Sequence, residues 1–156
     1  MSAYPPKLDA IISLFEVLPE EEKRENLIAY AEQSKRHEPK PGERFDLEDV
    51  RKDEECTDTV GVFLNVDPQM RAQFRLTLGA QVQTLTKAMT SILCKGLEGC
   101  TPQEILALPT DFVPRIVGGQ LVRIRSQTVY YILTRMKSAC KVFLNRRRAA
   151  AETPAS

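Results

Sequence analysis

The chain has 156 residues, 42% of them hydrophobic and 28% charged, with a net charge of +1. That size and balance fit one globular domain with a modest core and exclude a membrane span, since no apolar run approaches the roughly 20 residues a bilayer requires. Residues 1–78 carry 11 basic and 17 acidic side chains (−6) and residues 79–156 carry 11 basic and 4 acidic (+7). Such asymmetry can mark a nucleic-acid surface, but no basic run is interleaved with stacking aromatics, so a basic C-terminal helix beside an acidic N-terminal half is the expectation.

Met1-Ser2-Ala3-Tyr4-Pro5-Pro6 lacks the basic and then apolar stretches of a secretory leader, and a cytoplasmic, reducing location is expected. Leu8, Ile11, Ile12 and Phe15 form one apolar helical stripe. Pro19 opens a second helix with Glu20, Glu21 and Glu22 in its first turn, where acid suits the macrodipole. Leu27, Ile28 and Ala31 are its expected buried face, and Pro39 and Pro41 end it. His37, the only histidine, lies in the polar run Ser34–Glu38 and is expected at a solvated helix end.

The segment from Glu43 to Glu55 is rich in carboxylates and leads to a lone thiol in Glu54-Glu55-Cys56-Thr57-Asp58. Directly after it, Val60, Val62, Leu64 and Val66 alternate with Gly61, Phe63 and Asn65, the period of a half-buried strand over Thr59–Val66. A turn at Asp67-Pro68-Gln69-Met70 returns the chain into a strand with Ala72, Phe74, Leu76 and Leu78 on one face. Two strands are marginal alone, so a third extended segment near Phe45–Val50 and a covering layer of helices are expected.

The second half is helical. Val82, Leu85, Met89, Ile92, Leu93 and Leu97 follow helical spacing, with Gly96 and Gly99 as stop signals. Thr101-Pro102-Gln103-Glu104 is a capping box with proline at the first helical position, followed by Ile105, Leu106 and Leu108. After Pro109 and Pro114, Val129, Leu133, Met136, Cys140 and Phe143 line one face of a long last helix. Residues 1–145 form the expected domain and 146–156, beginning with Arg146-Arg147-Arg148, a flexible tail. The fold class is α+β, a small antiparallel sheet with helices packed on one face.

Four cysteines without a Cys-x-x-Cys pair, and one remote histidine, do not make a zinc site or a Cys-His catalytic pair. Cys94 and Cys140 fall on apolar helix faces and read as core. Cys100, in the Gly99–Thr101 turn, is a candidate for exposure and reads as an incidental cysteine in preference to a second reactive thiol. Cys56 stands apart because it sits in a charged segment at the start of a strand, where a partner can reach it.

In order along the chain, Cys56 before a hairpin, Lys95-Gly96-Leu97-Glu98-Gly99, Thr101-Pro102-Gln103-Glu104-Ile105, Asp111-Phe112 and Arg125-Ser126-Gln127 resemble the SufE-type sulfur acceptors of iron–sulfur cluster assembly. The resemblance spans about residues 20–144 and implies a SufE/IscU-like fold. It also implies that Cys56 takes sulfane sulfur from a pyridoxal-phosphate cysteine desulfurase, stimulates that enzyme, and passes the sulfur to an iron–sulfur scaffold complex. The pyridoxal phosphate belongs to the partner, so the chain is expected to carry no cofactor or metal and to act as a sulfur carrier rather than a stand-alone enzyme. Arg125 matches the family's arginine ahead of the last helix. It is expected, with Asp58, at the partner-binding surface, or alternatively in a surface salt bridge.

The chain departs from the family pattern at Glu55, where glycine is usual, and at Asp58, where serine is usual. Asp53, Glu54, Glu55 and Asp58 are expected to raise the Cys56 thiol pKa, opposed by Arg51 and Lys52. Gly61 replaces an aromatic, and an acidic residue usual after the hairpin corresponds to Ala80 or Val82. Two other readings compete. A U-type iron–sulfur scaffold shares the opening Cys56 and Asp58, but its other ligand positions fall near Ala80 and Arg125, which cannot ligate iron as required. A regulatory module that only docks on a desulfurase would need no chemistry at Cys56.

Overall fold

Alternation of apolar and polar residues sets the central sheet. The computed structural model describes residues 4–52, 59–79, 82–118 and 127–152. Within them α1 (Pro6–Val17) and α2 (Glu20–Glu32) lead through a 3₁₀ turn (Gln33–His37) to β1 (Leu47–Lys52), β2 (Thr59–Val66) and β3 (Ala72–Leu78). The strands form an antiparallel meander in the order β1-β2-β3. The expected third segment is thus β1, displaced two residues from Phe45–Val50; Phe45 instead stacks on Phe63 at 5.1 Å between ring centroids. The second half supplies α3 (Thr84–Gly96), α4 (Pro102–Leu106), α5 (Val113–Val117) and α6 (Gln127–Glu152).

One face of the sheet is buried. Leu47, Val60, Val62, Leu64, Ala72, Phe74 and Leu76 point into a single core shared with Met89, Ile92, Leu93, Val129, Leu133 and Met136 of α3 and α6. The N-terminal stripe Leu8, Ile11, Ile12 and Phe15 joins the same core. On α2, Leu27 and Ala31 are buried but Ile28 is 46% exposed, against expectation. Ile28 lies one residue, about 100° of helix, from Leu27, and the buried stripe of α2 is only wide enough for positions spaced by four.

Local chemistry explains the connections. The Asp67 carboxylate accepts hydrogen bonds from the backbone N–H of Gln69 and of Arg71, each at 2.9 Å, and so shapes the β2–β3 turn. Those bonds, the one from the Arg71 N–H foremost, lower its pKa. The capping box is complete: Thr101 Oγ1 accepts from the Glu104 N–H at 3.1 Å, and the Glu104 carboxylate accepts from the Thr101 N–H at 3.3 Å. α6 continues as helix through residues 145–151, whose side chains are exposed, Arg146, Arg147 and Arg148 among them.

Gly61 is buried on β2, and a Cβ there would lie 2.3 Å from Thr77 Oγ1 and 2.9 Å from Phe63 Cε2. The space beside Gly61 is therefore filled by its neighbours. Replacement by alanine forces the Thr77 and Phe63 side chains aside and costs about 1–3 kcal/mol, the ordinary cost of overpacking. Chemical denaturation of Gly61→Ala should show a lower midpoint at unchanged slope; an unchanged midpoint would show that the cross-strand pocket yields freely.

Candidate functional site

The candidate site is built where β1 ends and β2 begins. Lys52 pairs with Thr59 and Arg51 with Val60, so the chain leaves β1 and re-enters β2 at one point on the sheet. Residues 53–58, with Cys56 and Asp58, form this connection and lie outside the described residues, as does Arg125. Their flanks fix where the chain enters and leaves each segment. Val60 also pairs with Leu78, the last residue of β3, which puts the approach to α3 at the same end.

The direction of α6 follows from its contacts. Arg135 meets Asp49 and Val60, whereas Ser138, Ala139, Val142 and Arg146 border a hollow with Leu47, Glu48 and Asp49. α6 therefore runs from the Cys56 end of β1 toward its start. Gln127 lies eight residues before Arg135, about 12 Å back toward the β1–β2 connection. The N-terminal ends of α3 and α6, each carrying partial positive charge, thus open at the end of the sheet where Cys56 is connected.

Arg135 is the residue sequence analysis missed. It is 3% exposed, yet Nη1 donates to the Val60 carbonyl at 2.7 Å and Nη2 donates to the Asp49 carbonyl at 2.5 Å. Nη2 also lies 3.2 Å from Asp49 Oδ2, and the guanidinium sits 5.6 Å from the Tyr131 ring centroid. Ile132, Arg135 and Ala139 are spaced by three and four, so a lone arginine in line with two buried residues is the signal that marks it.

The other thiols are unsuited to nucleophilic work. Cys94, near the C-terminal end of α3, is buried, and burial pushes its pKa up to about 12. Burial likewise pushes Cys140 up to about 12. Cys100, a candidate for exposure, is only 6% exposed, and burial pushes it up to about 11. The reason is long-range: Gly99, at φ +85°, lets its N–H donate to the Ala72 carbonyl at 3.0 Å while the Ala72 N–H donates to the Cys100 carbonyl at 2.7 Å. That docks Cys100 beside the start of β3, opposite the Cys56 end. His37 is half-buried rather than solvated, and burial lowers its pKa.

Among the described residues no group of three or more His, Cys, Asp or Glu side chains is placed to hold a metal ion. Cys94 lies ten residues into α3, about 15 Å from the helix start at the Cys56 end, and cannot complete a cluster site there. No helix among the described residues is long and apolar enough to cross a membrane.

A family model described as "SufE: Fe-S metabolism associated domain" matches residues 9–140, and the chain belongs to the SufE family. Its place is therefore in iron–sulfur metabolism. Among solved structures it is similar to the solution structure of a hypothetical protein from Thermus thermophilus. The two are 25% identical with a TM-score of 0.70, over 91% of this chain and 98% of the other. No curated protein matches the chain significantly.

The buried thiols have a measurable consequence. Their folded pKa values lie above the ordinary thiol value of 9.0. The folded state thus holds protons that the unfolded state releases between about pH 9 and 12, and stability is present below that window and falls as pH rises through it. Native labelling with iodoacetamide at pH 8 should leave Cys94, Cys100 and Cys140 unmodified, and all three should react in denaturant. Native labelling of any of them would contradict their burial.

Proposed function

We propose that Cys56 is a sulfur acceptor. The observation that carries this reading is the exclusion of the other three thiols, which are buried with raised pKa values, in a chain of the SufE family. The donor is the persulfide of a pyridoxal-phosphate cysteine desulfurase. The Cys56 thiolate attacks the terminal sulfur of that persulfide, a new S–S bond forms, the old one breaks, and the desulfurase cysteine leaves as its thiolate. No net oxidation occurs and no cofactor of this chain is needed. The sulfur then passes from Cys56 to an iron–sulfur scaffold by the same exchange.

Reactivity is set by opposing charges. Asp53, Glu54, Glu55 and Asp58 disfavour the Cys56 thiolate, while the positive ends of α3 and α6 favour it. Docking on a basic partner surface neutralises the carboxylates and raises the thiolate fraction where it is needed. Asp58 and Arg125 belong to that docking surface, and a reducing cytoplasm suits a free thiol of this kind.

Cys56→Ser tests the reading. Sulfur uptake from a desulfurase supplied with free cysteine should fall to background while binding to the desulfurase persists, and stimulation of that enzyme should be lost. Stimulation unchanged in Cys56→Ser would instead favour a docking module without sulfur transfer.

A further inference from the structure

We propose that Arg135 is the positioning residue for Cys56, a role that rests on the sulfur-acceptor reading above. A guanidinium is a planar fork of fixed spacing, suited to hold two acceptors in one relative arrangement. Here the two acceptors are main-chain carbonyls on different strands, Asp49 of β1 and Val60 of β2. Val60 is one residue inside Thr59 and Asp49 three inside Lys52, the pair at which the Cys56 connection departs. The fork thus grips both stems of that connection from beneath the sheet and ties them to α6.

β1 is one of the two edge strands, paired with β2 alone among the described residues, and its Val50 side chain is 56% exposed, so the fork gives it a second attachment. Burying a guanidinium is costly, and an apolar side chain of similar volume in the same place commonly stabilises a fold as well or better. In Arg135 the two carbonyls and the Asp49 carboxylate, 3.2 Å from Nη2, offset part of that cost, but the buried Nε has no hydrogen-bond partner among the described residues. An arginine kept there at that cost points to placement of the hairpin rather than to stability.

Persulfide transfer requires the attacking sulfur to sit in line with an S–S bond in another protein, so loosening the hairpin stems lowers the fraction of docked complexes in a reactive geometry. The loss then appears in the transfer step and not in docking. Saturation by the desulfurase cannot restore it.

The experiment measures the rate of sulfur transfer to Cys56 at saturating desulfurase, the Kd for that desulfurase, and the melting curve, for wild type, Arg135→Met and Arg135→Lys. Arg135→Met removes both carbonyl bonds at similar volume. It should slow the saturating rate by about ten- to a hundredfold, the usual effect of misplacing a reacting group, with Kd within about twofold. Arg135→Lys keeps the charge and a donor but not the fork, and should recover part of the rate. A folded Arg135→Met with the wild-type rate overturns the proposal. So does a rate loss that matches the loss of folded protein, with lysine no better than methionine. If Arg135→Met does not fold, Arg135→Lys decides: a slower rate per folded molecule at unchanged Kd supports the role, and the wild-type rate overturns it. A wild-type chain that takes up no sulfur overturns the acceptor reading and this inference together, whereas wild-type uptake with unaltered variants overturns only the role of Arg135.

Discussion

A three-stranded sheet of six, eight and seven residues depends on burying one face, and almost everything else in this fold follows from how that face is covered. Val60, Val62, Leu64, Phe74 and Leu76 give β2 and β3 an unbroken apolar side, and α3 and α6 close over it. Because the first turns of α3 lie beside the end of β3, where Lys87 and Thr90 border one hollow with Leu76 and Leu78, and α6 runs back along β1, both helices begin at the end where β1 joins β2. Coverage of the sheet thereby gathers two helix N-termini and the Cys56 connection at one end of the molecule. Arg135 is the point where the covering layer grips the sheet through hydrogen bonds and charge rather than apolar packing alone.

The same burial separates the thiols by reactivity. Cys94 and Cys140 complete helix faces, and Cys100 is drawn under the start of β3 by a two-bond clasp between Gly99, Cys100 and Ala72. Desolvation holds all three as neutral thiols at physiological pH, so a sulfur donor docking on the surface meets none of them as a thiolate. A carrier of reactive sulfur benefits from such a division, because a persulfide that met a second accessible thiol would be lost to a disulfide.

Elements whose identity is set by local periodicity were legible in the sequence. The alternation around Val60–Val66 and Ala72–Leu78 marks both strands with their observed bounds, and Thr101 with Glu104 marks the start of α4. What escaped was set by distant partners. Ile28 is as apolar as Leu27, and only the position of the neighbouring helices decides which of them is buried. The turn glycine beside Cys100 suggests exposure, yet the strand that buries it is 28 residues earlier in the chain. Arg135 bonds to carbonyl oxygens, which every residue has, and its ion partner Asp49 lies 86 residues earlier, so only its place in line with Ile132 and Ala139 on α6 marks it. For the site, the sequence singled out Cys56, Asp58 and Arg125, which lie outside the described residues, and the structure adds the frame from which their segments depart.

Sulfur carriage by Cys56 alone is checked by peptide mapping after incubation with a cysteine desulfurase and sulfur-labelled cysteine. The expected result is one added sulfur atom per chain, on the peptide that contains Cys56, released by a thiol reductant. Label on Cys94, Cys100 or Cys140, or a chain that binds the desulfurase and remains unlabelled, would contradict it.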